Sequence, residues 1–208
     1  MLVWINGPFG GGKTQTSYEL QRRLPGSFVC DPEQVGFGLH RALPPGFRRN
    51  FQDMPAWRQG VYEVLDRTLN EYPGTVIAPM TLIEPRYFTE IIGRLRDNGH
   101  EIRHFALLAA RETILRRLRE RAFGRAGQVL MGKKVRPGAQ TMAVRQLDLC
   151  LERLRGPDFA EHVWTEDRGI AQVAEHIAAA VGQTLTPTGS PLAGRLRRAW
   201  IGVRHIRF

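Results

Sequence analysis

Short apolar runs alternate with longer amphipathic stretches along this chain. Five of the apolar runs have the length and composition of buried β-strands: residues 2–6, 27–30, 75–80, 102–109 and 161–165. The stretches between them predict helices over residues 15–24, 34–43, 55–72, 85–98, 111–122, 140–155 and 170–181. Because strands that alternate with helices form parallel sheets, the pattern predicts an α/β fold with five parallel strands flanked by helices. Ligands should bind at the carboxyl ends of those strands.

The predicted helices carry start signals and apolar faces. Asp53 is the predicted N-cap of the third helix, and Pro55 lies in its first turn. Three helices have apolar side chains at helical spacing: Trp57, Val61, Leu65 and Leu69 in the third, Phe88, Ile91, Ile92 and Leu95 in the fourth, and Ile170, Val173, Ile177 and Val181 in the last. We expect these faces to pack inward.

Length and composition fit one domain with a short basic extension. The chain has 208 residues, of which 42% are hydrophobic, and a formal net charge of +10. No stretch approaches eighteen uninterrupted apolar residues, so no transmembrane helix is expected. Cys30 and Cys150 lack metal-ligand spacing, and no signal peptide is recognisable, so we expect a reduced, cytoplasmic protein. The positive charge favours polyanionic partners such as nucleotide phosphates, nucleic acid or an anionic membrane.

The first strand leads directly into a glycine-rich loop. Residues 7–14 read GPFGGGKT, which matches the phosphate-binding pattern GxxxxGK[ST] between a strand and a helix. The N–H groups of such a loop and the N-terminus of the next helix favour phosphate oxygens. Lys13, expected to be exposed, would reach the β- and γ-phosphates of ATP, and the Thr14 hydroxyl would hold Mg²⁺. The predicted nucleotide-binding residues are Gly7, Pro8, Phe9, Gly10, Gly11, Gly12, Lys13, Thr14 and Gln15.

An acidic residue follows the second strand. Pro32 stops this strand and leaves Asp31 at its carboxyl end, on the same sheet edge as the glycine-rich loop. There Asp31 would accept the proton of a substrate hydroxyl or organise Mg²⁺, and Glu33 is a weaker candidate. The alternative is that Asp31 only caps the next helix. The third strand leads to Thr81 instead of the acidic residue usual in motor and switch ATPases, which is compatible with a small kinase.

A basic helix and a second glycine-rich segment follow the fourth strand. Arg117 and Arg121 share one face of this helix, and residues 123–138 contain four glycines without periodicity. Phosphoryl transfer requires positive charge that is brought over the transferred group when the site closes. We therefore predict a lid at about 123–138, with Arg117 and Arg121 as catalytic charges. Further cationic donors in the lid are Arg125, Lys133, Lys134 and Arg136. The alternative is a solvated basic helix followed by a loop.

Aromatic residues are concentrated between the second and fourth strands, where small kinases bind the phosphate acceptor. Phe51, Trp57, Tyr62, Tyr87 and Phe88 would stack on a base or line an acyl chain, although each also suits a core position. The six histidines lack ligand spacing, so no zinc site is predicted.

The end of the chain differs from the rest. We predict a P-loop domain over residues 1–183, followed by a linker and a basic amphipathic tail over residues 184–208. Residues 192–208 contain five arginines and no acid, and Leu192, Leu196 and Trp200 share a helix face. This pattern predicts contact with an anionic membrane, and the alternative is that the tail folds back on the domain. No nucleic-acid motif is present, so no nucleic-acid partner is expected.

The sequence resembles the tunicamycin-resistance ATP-binding proteins over nearly its whole length. The resemblance rests on matching segments in the same order: WINGPFGGGKTQT from residue 4, DPE from 31, VGF from 35, FQD from 51, WR from 57, PMT from 79, YF from 87, EIIGRLR from 90 and HIR from 205.

The resemblance implies a nucleoside-monophosphate-kinase-like fold with ATP bound at residues 7–14. It also implies protection against tunicamycin, a uridine-containing and lipid-tailed antibiotic, and peripheral membrane association through the C-terminal segment. We expect ATP·Mg²⁺-dependent phosphorylation of a hydroxyl of the drug. Two alternatives stay open: ATP-dependent sequestration of the drug at the membrane without catalysis, and a small-metabolite kinase of the gluconate or shikimate type.

Overall fold

Five parallel strands form a single sheet in the computed structural model, which describes residues 1–129, 144, 146–157, 159 and 161–187. The strands are β1 (Leu2–Asn6), β2 (Phe28–Val29), β3 (Val76–Pro79), β4 (Ile102–Leu108) and β5 (His162–Trp164). Their order across the sheet is β2-β3-β1-β4-β5, and every neighbouring pair is parallel. In register, Leu2 pairs with Val76 on one side and with Ile102 on the other. The predicted α/β fold with five parallel strands is confirmed.

Eight α-helices flank this sheet in the described part of the chain. They are α1 (Lys13–Arg23), α2 (Glu33–Ala42), α3 (Pro55–Glu71), α4 (Pro85–Phe88), α5 (Arg94–Asp97), α6 (Arg111–Val129), α7 (Leu147–Leu154) and α8 (Ile170–Ala180). A π-helical turn, Thr89–Gly93, joins α4 to α5. Two 3-10 turns, Pro45–Phe47 and Phe51–Asp53, lie between α2 and α3.

The core lies on both faces of the sheet because successive strand residues point to opposite sides. On β1, Leu2 and Trp4 belong to one buried cluster, whereas Val3 and Ile5 belong to the other. The first cluster contains the predicted inward residues of α3 and of the helical segment from Pro85: Trp57, Val61, Leu65, Phe88, Ile91, Ile92 and Leu95, with Leu69 packed against it. The second contains Val173 and Ile177 of α8.

Two predicted helix boundaries are wrong. The N-cap of α3 is Met54, because Asp53 belongs to the 3-10 turn Phe51–Asp53 and its carboxylate accepts a hydrogen bond from Tyr87 instead. Helix α6 continues past the predicted end at residue 122 to Val129, and so enters the segment predicted as a lid. The continuation, residues 123–129, contains two glycines but also Arg125, Ala126 and Gln128, which favour helix. Residues 130–143, with the rest of the predicted lid, lie outside the described residues.

Candidate functional site

The glycine loop, residues 7–14, connects β1 to α1 at the carboxyl edge of the sheet. Gly10 and Gly12 have φ angles of +84° and +92°, a left-handed conformation that residues with a Cβ rarely adopt. A Cβ on Gly10 would also lie 3.1 Å from the Leu118 side chain of α6. The loop therefore requires glycine both for its backbone conformation and for the close approach of α6.

Helix α1 begins at Lys13 without the usual side-chain cap. Its N-cap residue is Gly12, and its first turn contains no acidic residue. The N–H of Thr16 donates to the Gly12 carbonyl at 2.9 Å, and the N–H groups of Thr14 and Gln15 come before this bond, in the first turn of the helix, where the i→i−4 pattern does not use them. Such N–H groups attract anions. Thr14 and Gln15 are partly exposed, as a ligand at this position requires.

Lys13 is buried, which corrects the prediction that it is exposed. Only 8% of the residue is exposed, and its ammonium group donates to the carbonyl oxygens of Gly7 at 3.0 Å and Pro8 at 3.1 Å. The ammonium nitrogen also lies 5.5 Å from the centre of the Phe9 ring, which is itself exposed. Because α1 starts at Lys13, the side chain folds back under the loop and holds a positive charge there.

Two polar residues that the motif does not include fix the start of the loop. The amide oxygen of Asn6 accepts hydrogen bonds from the N–H groups of Gly7 and Leu82, and its amide nitrogen donates to the Leu82 carbonyl at 2.7 Å. The Thr81 hydroxyl donates to the Gly7 carbonyl at 2.7 Å. Both Asn6 and Thr81 are buried. The sequence signal for Asn6 was a polar residue at the end of an apolar strand, directly before the glycine loop.

Asp31 lies where the sequence predicts it, one residue beyond the last sheet bond of β2. The N–H of Cys30 donates to the Ile77 carbonyl of β3, and Asp31 follows. One carboxylate oxygen of Asp31 accepts a hydrogen bond from the N–H of Glu33 at 3.0 Å, and the Asp31 carbonyl accepts one from Gln34. The structure thus contains the capping contact that was the alternative to a catalytic role. Asp31 and the glycine loop both lie at the carboxyl edge of the sheet.

Of the two arginines predicted as catalytic charges, the structure describes the side chain of Arg117 but not that of Arg121. The guanidinium group of Arg117 donates to the Thr165 hydroxyl at 2.9 Å and to the Thr165 carbonyl at 2.6 Å, which ties α6 to the carboxyl end of β5. Burial lowers the pKa of Arg117, with an opposing contribution from the nearby carboxylate of Glu166. Arg121 belongs to α6, but its side chain is outside the described part of the chain, as are those of Arg125, Lys133, Lys134 and Arg136.

The Phe51–Asp53 segment, called here the 51–53 turn, is connected to the glycine loop through Thr81. The side-chain amide of Gln52 donates to the Thr81 carbonyl at 2.9 Å, and the Gln52 carbonyl accepts from Arg58 at 2.6 Å. The Tyr87 hydroxyl donates to the Asp53 carboxylate at 3.0 Å. Burial, together with this hydrogen bond, raises the pKa of Tyr87. None of these contacts follows from a sequence motif.

The five aromatic residues predicted near the acceptor pocket fall into two groups. Trp57 and Phe88 are buried core residues, and the Trp57 ring nitrogen donates to the Pro32 carbonyl. Phe51, Tyr62 and Tyr87 are partly exposed. Phe51 packs 5.3 Å from the Trp57 ring, and the guanidinium group of Arg94 covers Tyr62 at 3.6 Å.

Two kinds of feature bear on metal and membrane binding in the described residues: groups of metal-binding side chains, and helices that could span a membrane. No group of three or more His, Cys, Asp or Glu side chains is placed there to hold a metal ion. Of the helices in this part of the chain, none is long and apolar enough to cross a membrane.

The comparisons with known proteins agree with this geometry. Residues 2–135 match the family described as AAA domain. The solved tunicamycin resistance protein of Deinococcus radiodurans is 35% identical, with a TM-score of 0.71 over 90% of this chain and 99% of that chain. A comparison with curated proteins gives no significant match. The predicted resemblance to tunicamycin-resistance proteins is confirmed.

More distant solved structures share the fold. The APS kinase CysC of Mycobacterium tuberculosis, solved with AMPPNP and APS, is 17% identical with a TM-score of 0.54 over 88% of this chain and 97% of that chain. Shikimate kinase of Bacteroides thetaiotaomicron is 14% identical with a TM-score of 0.56 over 88% of this chain and 98% of that chain. This chain belongs to the AAA domain family and has the P-loop, kinase-like, nucleotide-binding fold of these structures.

Proposed function

We propose that this protein is an ATP- and Mg²⁺-dependent kinase that phosphorylates a hydroxyl of a nucleoside-like antibiotic and thereby confers resistance to tunicamycin. The observation that carries the proposal is the glycine loop with the Lys13 ammonium group beneath it, at the edge of a kinase-type sheet. The 35% identity to a tunicamycin resistance protein supports the choice of substrate. The kinases at 14–17% identity support the fold alone.

In this proposal the glycine loop binds the ATP phosphates through backbone N–H groups at the start of α1 and through Lys13. The ammonium group is already held at two loop carbonyl groups, so only a short movement brings it to a phosphate. The full nucleotide-binding set is Gly7, Pro8, Phe9, Gly10, Gly11, Gly12, Lys13, Thr14 and Gln15. Phe9 is an exposed residue of the loop, and its ring would contact the nucleotide from the solvent side.

Thr14 and Asp31 are the residues that would hold Mg²⁺. The cation neutralises charge on the transferred phosphoryl group. Hydroxyl and carboxylate oxygens suit Mg²⁺, which usually keeps several waters and phosphate oxygens and therefore requires few protein ligands.

Asp31 would also accept the proton of the attacking hydroxyl, while arginines stabilise the transferred group. Arg117 is positioned at the end of β5 by its two bonds to Thr165, which fix the direction of the guanidinium group. Arg121 lies one helical turn further along α6 and would move with the lid. Guanidinium groups suit this role because they stay charged and bind phosphate oxygens in pairs.

The acceptor would bind on the side of the 51–53 turn. Trp57 and Phe88 are core residues and the Arg94 guanidinium group covers Tyr62, which leaves Phe51 and Tyr87 as aromatic surfaces for a base or an acyl chain. A lipid-tailed nucleoside offers both groups. A small anionic sugar or acid offers neither, and this argues against a gluconate- or shikimate-type substrate.

One observation favours a second candidate, ATP-dependent sequestration of the drug without catalysis. The Asp31 carboxylate accepts a hydrogen bond from the Glu33 N–H, which is the geometry of a turn cap. If that is its only role, the site lacks a base and the protein would bind tunicamycin without modifying it.

Mass spectrometry of tunicamycin after incubation with the full chain and Mg·ATP separates these functions. A drug that gains one phosphate, with stoichiometric release of ADP, supports the kinase. Unmodified drug that binds only in the presence of nucleotide supports sequestration. Phosphorylation of gluconate or shikimate, with tunicamycin inert, would overturn both.

We also propose that residues 1–183 act as the P-loop domain and that the tail within residues 184–208 contacts an anionic membrane from the cytoplasmic side. Leu185 packs against the core and Thr186 donates to the Arg23 carbonyl, so the start of the linker is attached to the domain. Residues 188–208 lie outside the described residues. Co-sedimentation with anionic vesicles at low and high salt, for the full chain and for a chain ending at residue 187, tests this: equal sedimentation of both chains contradicts it.

A further inference from the structure

The carbonyl oxygen of Gly7, at the start of the glycine loop, accepts two hydrogen bonds. One comes from the Lys13 ammonium group at 3.0 Å and the other from the Thr81 hydroxyl at 2.7 Å. When Lys13 turns toward a phosphate, its bond to this carbonyl weakens. Because buried carbonyl groups are costly to leave unpaired, the Thr81 hydroxyl keeps Gly7 satisfied in either position of the lysine.

Thr81 is linked in turn to the 51–53 turn. Its backbone carbonyl accepts a hydrogen bond from the side-chain amide of Gln52 at 2.9 Å. A carbonyl oxygen can only accept, so the amide atom that faces it is the nitrogen. The N–H of Gln52 donates to the Asn50 side chain, and its carbonyl accepts from Arg58. Gln52 thus uses its side chain and both backbone groups to connect the turn to its surroundings.

Arg58 fixes the other side of the turn. It is 4% exposed, forms an ion pair with Glu90, and lies 4.3 Å from the Tyr87 ring. Tyr87 in turn donates to Asp53. A shift of the turn at Gln52 would therefore break a hydrogen bond of a buried guanidinium group, which is costly.

We propose that Gln52 is a positioning residue that couples the 51–53 turn to the glycine loop through Thr81. Binding of nucleotide phosphates at the loop, which pulls Lys13 away from Gly7, tightens the Thr81 contact and orders the turn. By thermodynamic linkage, a ligand bound at the turn changes nucleotide affinity by the same factor. The effect of a ligand at the turn on nucleotide affinity rests on the proposed function, which places the acceptor at the turn. The ordering of the turn by bound phosphates requires only nucleotide.

Hydrogen–deuterium exchange of the 51–53 turn, with and without saturating Mg·ADP, tests the coupling. Coupling free energies between sites usually correspond to about 5–150-fold, so we expect ADP to slow exchange of the turn at least about fivefold in the natural chain. Gln52→Met keeps the side-chain length but removes the amide, and the slowing should be lost. Gln59→Met is the matched control, since Gln59 is exposed on α3 and bonds only to the surface residues Glu63 and Arg94 in the described hydrogen bonds.

A second pair of variants protects the test against misfolding. Thr81→Ser retains the hydroxyl and should keep the slowing by ADP, whereas Thr81→Val should lose it. Equal slowing in the natural chain, Gln52→Met and Thr81→Val overturns the proposal, and so does an absence of slowing in the natural chain.

The linked effect on the acceptor uses tunicamycin as the probe. Calorimetry gives the ADP affinity with and without the drug. The ratio of these two affinities should be closer to one in Gln52→Met than in the natural chain, and it should be unchanged in Gln59→Met. If the natural chain does not bind tunicamycin, the proposed substrate is wrong, while slowed exchange with ADP still supports the role of Gln52. If the drug binds and Gln52→Met leaves the ratio unchanged, the role of Gln52 is wrong and the substrate stands.

Discussion

The glycine loop and the 51–53 turn meet at Thr81, yet they are held in place in different ways. The loop is shaped by its own backbone, with left-handed glycines, the start of α1 and a lysine that bonds to loop carbonyl groups. The turn is held by side chains that are distant in sequence: Arg58 to Glu90 and Tyr87 to Asp53. Among the described hydrogen bonds, long-range ones reach the loop only at its start, through Asn6 and Thr81, so the loop depends mainly on local conformation and the turn mainly on long-range pairing.

This difference corresponds to the difference between the ligands proposed for the two regions. Phosphate is the same in every nucleotide, so a loop of backbone N–H groups serves any kinase of this fold. Acceptors differ between kinases, and a turn held by individual side chains can change while the backbone of the loop keeps its shape. The comparison predicts that substitutions at the loop act mainly on nucleotide binding and chemistry. Substitutions around the turn should act mainly on stability and acceptor binding, and they should reach the loop only through the contact between Gln52 and Thr81.

The largest effect is expected for Lys13→Ala. Losing the charged donor to phosphate should weaken ADP binding by about 10–100-fold, because a hydrogen bond to a charged group contributes about 1.5–3 kcal/mol. ATP-dependent turnover should fall below detection. Calorimetry of ADP binding measures the loss, and Arg22→Ala on the surface of the same helix, where Arg22 pairs with Glu19, is the charge-matched control. Unchanged ADP affinity in Lys13→Ala would contradict the assignment of the loop.

Asp31→Asn separates a base from a turn cap. The amide oxygen of asparagine still accepts the hydrogen bond from Glu33, so the fold should be retained. Loss of a general base lowers the rate by about 10²–10⁴-fold, and we expect this fall in phosphorylation of the drug with nucleotide binding preserved. Single-turnover assays by mass spectrometry measure the rate. A fully active variant would leave Asp31 with only the capping role.

Acid should destabilise the core beneath the turn. His104 on β4 lies 4.9 Å from the Phe88 ring, and burial, assisted by Arg96 and His162, lowers the pKa of His104 to about 3. Between its ordinary pKa of about 6.5 and 3 the unfolded chain binds a proton that the folded chain excludes, so stability falls by several kcal/mol as pH falls through this range. In His104→Leu, the urea concentration at the unfolding midpoint should depend less on pH in this range. His176→Gln, at an exposed position on α8, should not.

Arg58→Met tests the long-range pairing at the turn. Removing one partner of a fully buried ion pair costs about 3–5 kcal/mol. The Arg58 side chain is 5% exposed, but Glu90 is 33% exposed and also pairs with Arg86, so we expect Arg58→Met to cost less than this. Arg67→Met removes a pair with Glu71 in which Arg67 is 78% exposed, and such pairs contribute at most about 1 kcal/mol. Thermal unfolding of both variants gives the difference. Equal melting temperatures would show that the turn does not depend on Arg58.

The sequence predicted the loop side of the molecule better than the turn side, for a physical reason. Strand–loop–helix order and the GxxxxGK[ST] spacing are local, so the sheet, the loop and the position of Asp31 followed from neighbouring residues. The N-cap of α3 was predicted wrongly because Asp53 is recruited by Tyr87, a contact between residues far apart in sequence. Lys13 was expected to be exposed because the motif predicts only its contact with nucleotide phosphates. It does not predict the hydrogen bonds of Lys13 to the Gly7 and Pro8 carbonyl groups. Asn6, Thr81 and Gln52 act through long-range hydrogen bonds that no spacing pattern records.

The smallest effect is expected for Tyr87→Phe, which removes a single hydrogen bond from the turn. The ring stays, so the contact with Arg58 at 4.3 Å persists, and only the bond to Asp53 is lost. Asp53 is exposed, so water replaces the hydroxyl and the cost should lie near the lower end of about 0.5–1.5 kcal/mol. Tyr62→Phe is the matched control, because the Tyr62 hydroxyl accepts a hydrogen bond from Asn98 away from the turn. Both variants should unfold in urea at similar midpoints, but only Tyr87→Phe should weaken tunicamycin binding. Any change in its ADP affinity should be smaller, because the hydrogen bond from Gln52 to Thr81 is kept. Equal tunicamycin affinity in Tyr87→Phe and Tyr62→Phe would show that the hydrogen bond between Tyr87 and Asp53 does not hold the turn for the acceptor.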